Sequence, residues 1–219
     1  MNLHALFGPG VTLAEGLVGD HQGPLIGAER DRAERMSPAR RAQFTAGRHL
    51  ARMVLRQLGI DAGALPVGTH GEPLWPEGVV GAITHCGNGL EGRCAVAVAS
   101  SATHIALGLD IEADTALEPA LRVRIIDDAE NTAVADNPKL SDMLFFSIKE
   151  SVYKAVFPLS GRFLDFHDVR VSIDREAMRF VARILPEDWP PALPDTIAGR
   201  YRASGGLITT AAEVRRIRD

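Results

Sequence analysis

Twice in 219 residues an amphipathic helix pattern gives way to a series of short strand patterns, and this repeated succession restricts the chain to an α+β architecture. Ser37-Pro38 opens the first long helix, with serine as N-cap and proline at the first helical position. Phe44, Ala51, Val54, Leu55 and Leu58 supply its apolar face, and Gly59 is placed to stop it. A short charged helix over 28–36 precedes it, and the glycine-rich residues 1–27 carry strand and loop. Pro66, Gly68, Gly71, Pro73, Pro76 and Gly78 make 65–78 a loop. Strands follow over 79–84, 94–100 and 104–111. The second helix spans 142–157, with Phe145, Ile148, Val152, Ala155 and Val156 on one face and Pro158 expected to end it. Strict alternation then marks strands over 169–173, 180–185, 199–204 and 207–214, the last two joined by a Gly205-Gly206 turn. The expected organisation is one compact unit of two similar halves, 1–105 and 106–219, related by a pseudo-two-fold axis.

With 46% hydrophobic residues the chain can bury a sizeable core. A net charge of −4 argues against a nucleic-acid partner, since duplex binders are strongly basic. The longest clean apolar run, Cys94–Ala99, falls far short of the roughly 20 residues of a membrane span. The first lysine or arginine is Arg30, so the basic start of a signal peptide is missing, and two cysteines make no disulfide framework. These features lead to the expectation of a cytoplasmic protein with no membrane partner.

Basic residues are distributed unevenly. Of the 24, only Lys139, Lys149 and Lys154 are lysine, and the last two lie within six residues. An ammonium is a compact, flexible point charge that arginine does not replace. Five groups of residues carry the chemistry, the weakest being the loop Gly68–Pro76, whose glycines let backbone approach a ligand and whose prolines and Trp75 stiffen a rim. Asp110 and Glu112 stand two apart in a strand and so share a face, with Ala106 and Gly108 leaving room beside them. Paired carboxylates repel unless a cation lies between them, and Mg²⁺ favours such oxygen ligands; a solvated strand end is the alternative. On the second helix, Glu150 and Lys154 are one turn apart with Ser147 beside them, while Lys149 sits nearer the apolar edge. They suit a metal and phosphate oxygens, or an ordinary ion pair on a wet helix. Thr84 and His85 end a strand before a glycine-rich loop, placed to donate to a phosphate or to serve structurally. Arg41, Arg48, Arg52 and Arg56 occupy one helical sector, suited to a phosphate or an acidic protein surface, or to acids from elsewhere in the chain.

In order and spacing these pieces resemble the phosphopantetheinyl transferases of the surfactin-synthetase-activating type, enterobactin-synthetase-component subclass. The resemblance runs from about residue 28 to the C-terminus. It is carried by Arg40-Arg41, Phe44 and Gly47-Arg48-His49, then Gly71–Pro76, Gly81–Cys86 and Gly108–Glu112. It continues through Phe146–Ala155, Pro158-Leu159 and Phe163-Leu164. The resemblance implies two α+β halves with an active-site cleft between them. It implies transfer of the 4′-phosphopantetheine arm of coenzyme A to a serine of an apo acyl or peptidyl carrier protein, with release of adenosine 3′,5′-bisphosphate by a monomeric enzyme. Fatty-acid, polyketide, peptide and siderophore carriers all remain open. By the same resemblance, Asp110, Glu112 and Glu150 hold Mg²⁺, and Glu150, Lys154 and His85 are catalytic. Arg40, Arg48, His70, Thr84, His85, Lys149 and Lys154 bind coenzyme A. His70 stands where close relatives often carry lysine, and Ala82 where they often carry serine, which bears on substrate affinity. A Mg²⁺-dependent nucleotide pyrophosphate hydrolase and a non-catalytic coenzyme A-binding module are the alternative activities.

Overall fold

The computed structural model describes residues 3–135 and 141–216, so Lys139 lies outside the described residues. The chain divides into two compact units. One runs to Leu107 and takes back the chain from Arg215; the other is Gly108–Val214.

In the first unit, β1 (Val11–Leu17), β2 (Val79–Cys86) and β3 (Arg93–Ser100) form an antiparallel sheet in the order β1-β3-β2. The register pairs Val11 with Ala99 and His85 with Cys94. Helix α1 (Ala28–Glu34) leads into α2 (Pro38–Gln57), whose N-cap Ser37 accepts from the Arg40 amide. Ala46, Leu50, Ala51, Val54 and Leu55 of α2 bury against Cys94, Val96 and Val98 of β3. Leu58, expected on that face, is the C-cap and is exposed. The chain turns there into Gly59, whose φ of +76° glycine adopts without a Cβ penalty.

The second sheet belongs to the second unit except for the start of β4 and the last residue of β8: β4 (His104–Ala113), β5 (Val169–Asp174), β6 (Arg179–Ile184), β7 (Thr196–Ser204) and β8 (Leu207–Arg215) lie in the order β4-β8-β7-β6-β5. β7 and β8 close as a hairpin through Gly205 and Gly206, both at positive φ, with Ser204 opposite Leu207. Two short helices, α3 (Pro119–Ile125) and α4 (Asp128–Ala135), fill a stretch whose sequence gave no periodic signal. Each is about two turns long, too short for periodicity to register. Helix α5 (Asp142–Ser160) buries all five of its expected apolar residues. It continues past Pro158, which forfeits only its own donor, and ends at Gly161 in the left-handed conformation.

Among the described residues no helix is long and apolar enough to cross a membrane.

Candidate active site

Side-chain alternation along β4 sends Leu109 and Ile111 into the core and Asp110 and Glu112 to the other face. The space left by Gly108 on that face is taken by α5. A Cβ at residue 108 would fall onto the Ser151 carbonyl oxygen and lie 3.2 Å from the Ala155 Cβ. This close approach sets the helix residues Ser147 and Lys154 against Asp110, with Glu150 near enough to feel its charge. Ser147 Oγ donates to Asp110 Oδ2 at 2.8 Å. Lys154 Nζ donates to Asp110 Oδ1 at 2.6 Å and to the Leu109 carbonyl at 3.3 Å.

Three carboxylates therefore face one ammonium. Burial, reinforced by the charge of Asp110, pushes the Glu112 carboxyl up to about 7, with Lys154 opposing. Burial and Asp110 raise Glu150 in the same sense. Burial is the main cause of both shifts and the charge of Asp110 adds to it, a crowding of negative charge that a divalent cation relieves. In charge and in donor chemistry the acids fit Mg²⁺. The coordination cage is not preassembled: among the described residues no three His, Cys, Asp or Glu side chains are arranged to hold a metal ion. Both Asp110 oxygens are engaged by Ser147 and Lys154.

Lys149 does not join this group. Its side chain is almost wholly buried, and burial holds its ammonium below the ordinary value while Glu130 opposes. Its donors go to the Ile125 carbonyl at 2.6 Å, Glu130 Oε2 at 2.7 Å and the Phe166 carbonyl at 3.0 Å. An ammonium has three protons, so this geometry leaves none for a phosphate. The implied phosphate contact of Lys149 is replaced by an internal one, because the residue lies on the apolar edge of α5 and an acid from α4 meets it there. Beside Glu150, a small cavity of about 150 Å³ is walled by Tyr153, Phe163, Leu164 and Phe166.

The first unit holds a larger cavity, about 480 Å³, lined by Arg32, Arg35, Arg40, Arg48 and His85 together with Gln43, Phe44 and Gly71. Arg48 is buried, with its guanidinium carbon 4.4 Å from the Phe44 ring centroid and Nε donating to the Leu65 carbonyl. Burial pushes it down to about 10, Glu29 opposing and Arg52 and Arg40 adding to the fall. Arg40 Nη1 contacts His85 Nε2, and since guanidinium only donates, the imidazole nitrogen accepts. The cavity thus concentrates positive charge and suits an anion.

His70 and Thr84 do not line this cavity. His70 is exposed, with Nδ1 2.9 Å from Thr69 Oγ1. Thr84 is buried on the strand face opposite Ile83 and His85. The arginine sector splits: Arg48 reaches the cavity, Arg41 Nε donates to the Ala33 carbonyl, and Arg56 is exposed. Arg52 is taken by a buried ion pair, its Nη1 donating to both Glu29 carboxylate oxygens at 2.8 and 2.9 Å. Arg32 and Arg35, absent from the sequence expectations, enter the cavity because α1 ends beside α2. Their spacing of three at the end of a charged helix was the available signal.

Residues 28–104 match the family described as the 4′-phosphopantetheinyl transferase N-terminal domain, and residues 106–193 match the 4′-phosphopantetheinyl transferase superfamily. The 4′-phosphopantetheinyl transferase Svp of Streptomyces mobaraensis is 36% identical over 199 residues, covering 87% of this chain and 78% of Svp. The 4′-phosphopantetheinyl transferase PptT of Mycobacterium tuberculosis is 36% identical over 186 residues, 78% of either chain. Enterobactin synthase component D of Salmonella typhi is 37% identical over 131 residues, 57% of this chain and 52% of its own. Each matched segment contains one of the two residue clusters, the basic cavity in the first and the acid–lysine group in the second, and the chain belongs to the 4′-phosphopantetheinyl transferase superfamily.

Proposed function

We propose that this enzyme transfers the 4′-phosphopantetheine arm of coenzyme A to a serine of an acyl or peptidyl carrier protein in a Mg²⁺-dependent reaction. The observation that carries this reading is the surplus of carboxylate around Lys154, with Glu112 pushed up to about 7 by burial and by Asp110. Asp110, Glu112 and Glu150 would hold the ion, which would supply positive charge against the pyrophosphate and the leaving group. The serine hydroxyl is a weak nucleophile at its ordinary pKa and requires a base. Glu150 takes that proton directly or through one water, the water relay sparing a carboxylate whose basicity a bound cation would lower. The serine oxygen bonds to the β-phosphorus as the bond to the bridging oxygen breaks, and adenosine 3′,5′-bisphosphate leaves with the electron pair. Lys154 stabilises charge on the transferring phosphoryl group, a reaction class in which catalysis is mostly positioning and electrostatics; the catalytic role that the resemblance implies for His85 belongs to the anion-binding cavity it lines. Arg40, Arg48 and the newly placed Arg32 and Arg35 hold anionic groups of the nucleotide.

The test is mass spectrometry of an apo carrier protein incubated with the enzyme, coenzyme A and Mg²⁺. A gain of one phosphopantetheine, lost on addition of EDTA, is expected. Free phosphopantetheine released without a carrier would mark a hydrolase. Thermal stabilisation by coenzyme A with no product under any metal condition would mark a binding module.

Lys154→Ala should lower kcat on the order of a hundredfold while the KM for coenzyme A changes little, because its charge acts on the reacting phosphoryl group. Steady-state kinetics check this. A variant that lost coenzyme A affinity at full turnover would displace Lys154 from the reacting centre. The same variant removes a partner of buried Asp110, so its melting temperature should also fall.

A further inference from the structure

The geometry points to Lys149 and Glu130 as a pair of positioning residues: a buried ionic hub that fixes α5, and with it Glu150, against the α3–α4 segment and the chain at Phe166. This role rests on the proposed transferase reading and replaces the phosphate contact that the family resemblance implies for Lys149.

Both side chains are about 1% exposed. A buried charge is tolerated only when its hydrogen-bonding capacity is filled, and here it is filled on both sides. Lys149 Nζ donates to the last residue of α3, to Glu130 and to the Phe166 carbonyl. Glu130 Oε1 accepts from the Val171 amide of β5 at 2.8 Å, and Oε2 accepts from the Asp127 amide at 3.0 Å. Asp127 Oδ1 in turn accepts from the Glu130 amide at 2.8 Å, so Glu130 is also the third residue of a capping box that starts α4. One ion pair thus gathers α3, α4, α5, β5 and the Phe166 turn. Propensity does not hold these short pieces in place, because α3 and α4 are only seven and eight residues long.

Glu150 follows Lys149 on the same helix, and Phe166 walls the small cavity that Glu150 also lines. Lys149, which lines the same cavity, therefore anchors the helix at the residue before the proposed base and ties it to the Phe166 wall through that residue's carbonyl. Polar groups behind reactive side chains fix their orientation, and removing one costs on the order of tenfold to a hundredfold in activity. Ammonium suits this position better than guanidinium. Three acceptors converge on one nitrogen, which a planar fork does not reproduce.

The experiment compares Glu130→Gln, Lys149→Met and the double variant in steady-state transfer from coenzyme A to an apo carrier protein, with thermal melts alongside. The hub predicts that Glu130→Gln, which touches no substrate, lowers kcat on the order of tenfold with the KM for coenzyme A unchanged. Lys149→Met should do the same, and the double variant should be no worse than the weaker single, since both remove one interaction. If Lys149→Met raises the KM for coenzyme A sharply while Glu130→Gln leaves kinetics untouched, Lys149 is a phosphate ligand and the hub is overturned. If both variants lower only the melting temperature and the folded enzyme keeps its kcat, the pair is merely structural and the positioning role falls. Should Lys149→Met fail to fold, Glu130→Gln decides alone, because its amide oxygen can still accept from a backbone donor. Absence of transfer by the unsubstituted enzyme would remove the transferase reading itself, an outcome distinct from active enzyme indifferent to Glu130→Gln.

Discussion

Glu112→Ala should abolish carrier-protein modification while the protein remains folded. The side chain projects from the half-exposed end of β4, with its strand neighbour Ile111 turned into the core, so truncation opens no core cavity. Loss of a metal-ion ligand forfeits several kcal/mol of transition-state stabilisation, roughly a thousandfold in rate or more. Mass spectrometry of the carrier checks the activity, and circular dichroism checks the fold. Full-rate transfer by Glu112→Ala would remove the acid from the mechanism.

The same residue predicts a pH effect of defined sign. Glu112 binds its proton more tightly in the folded chain, up to about 7, than in the unfolded chain, where a glutamate titrates near 4.3. Its ionised form therefore opposes folding above pH 7. That penalty is relieved as pH falls through the folded value, and below the unfolded value the contribution is flat. Metal-free protein should melt at a lower temperature at pH 8 than at pH 5.5, and Glu112→Gln should flatten that dependence. Mg²⁺ should offset the penalty at high pH by supplying the missing positive charge. A melting profile identical for wild type and Glu112→Gln across this range would contradict the half-buried, crowded carboxyl.

Gly108→Ala should destabilise the protein by about 3 kcal/mol or more, at the upper end of overpacking costs. For a chain of this size that lowers the melting temperature by roughly 10 °C. The obstacle is backbone: the added Cβ meets the Ser151 carbonyl of α5, and a helix backbone cannot rotate aside as a side chain can. Any relaxation lifts α5 off β4 and separates Ser147 and Lys154 from Asp110. Transfer activity should therefore fall even at temperatures where Gly108→Ala is folded. A melting temperature within a degree or two of wild type would show that α5 does not pack this closely.

Much of the fold was legible because its signals are local. The serine–proline start of α2, the five apolar positions of α5 and the glycine pair of the β7–β8 hairpin each state their structure within a few residues. Helices α3 and α4 were not legible, although Asp127 and Glu130 form a capping box, because two turns carry too little periodicity. Leu58 matched the helical period but lies past the last turn, where the chain has already left the core.

For the site, strand alternation in the sequence already determined that Asp110 and Glu112 share a face, and helical spacing that Glu150 and Lys154 do. The partner of each charge was decided only by tertiary structure. Lys149 and Lys154 differ little as local sequence, yet one meets Glu130 in the interior and the other meets Asp110 at the strand end. Arg48 and Arg52 are one helical turn apart, yet one lines a cavity and the other is taken by Glu29. Sequence periodicity fixes the face from which a side chain leaves its element. Which opposite charge waits there depends on residues distant in the chain, and pairing energy at a few ångströms is set by that encounter alone.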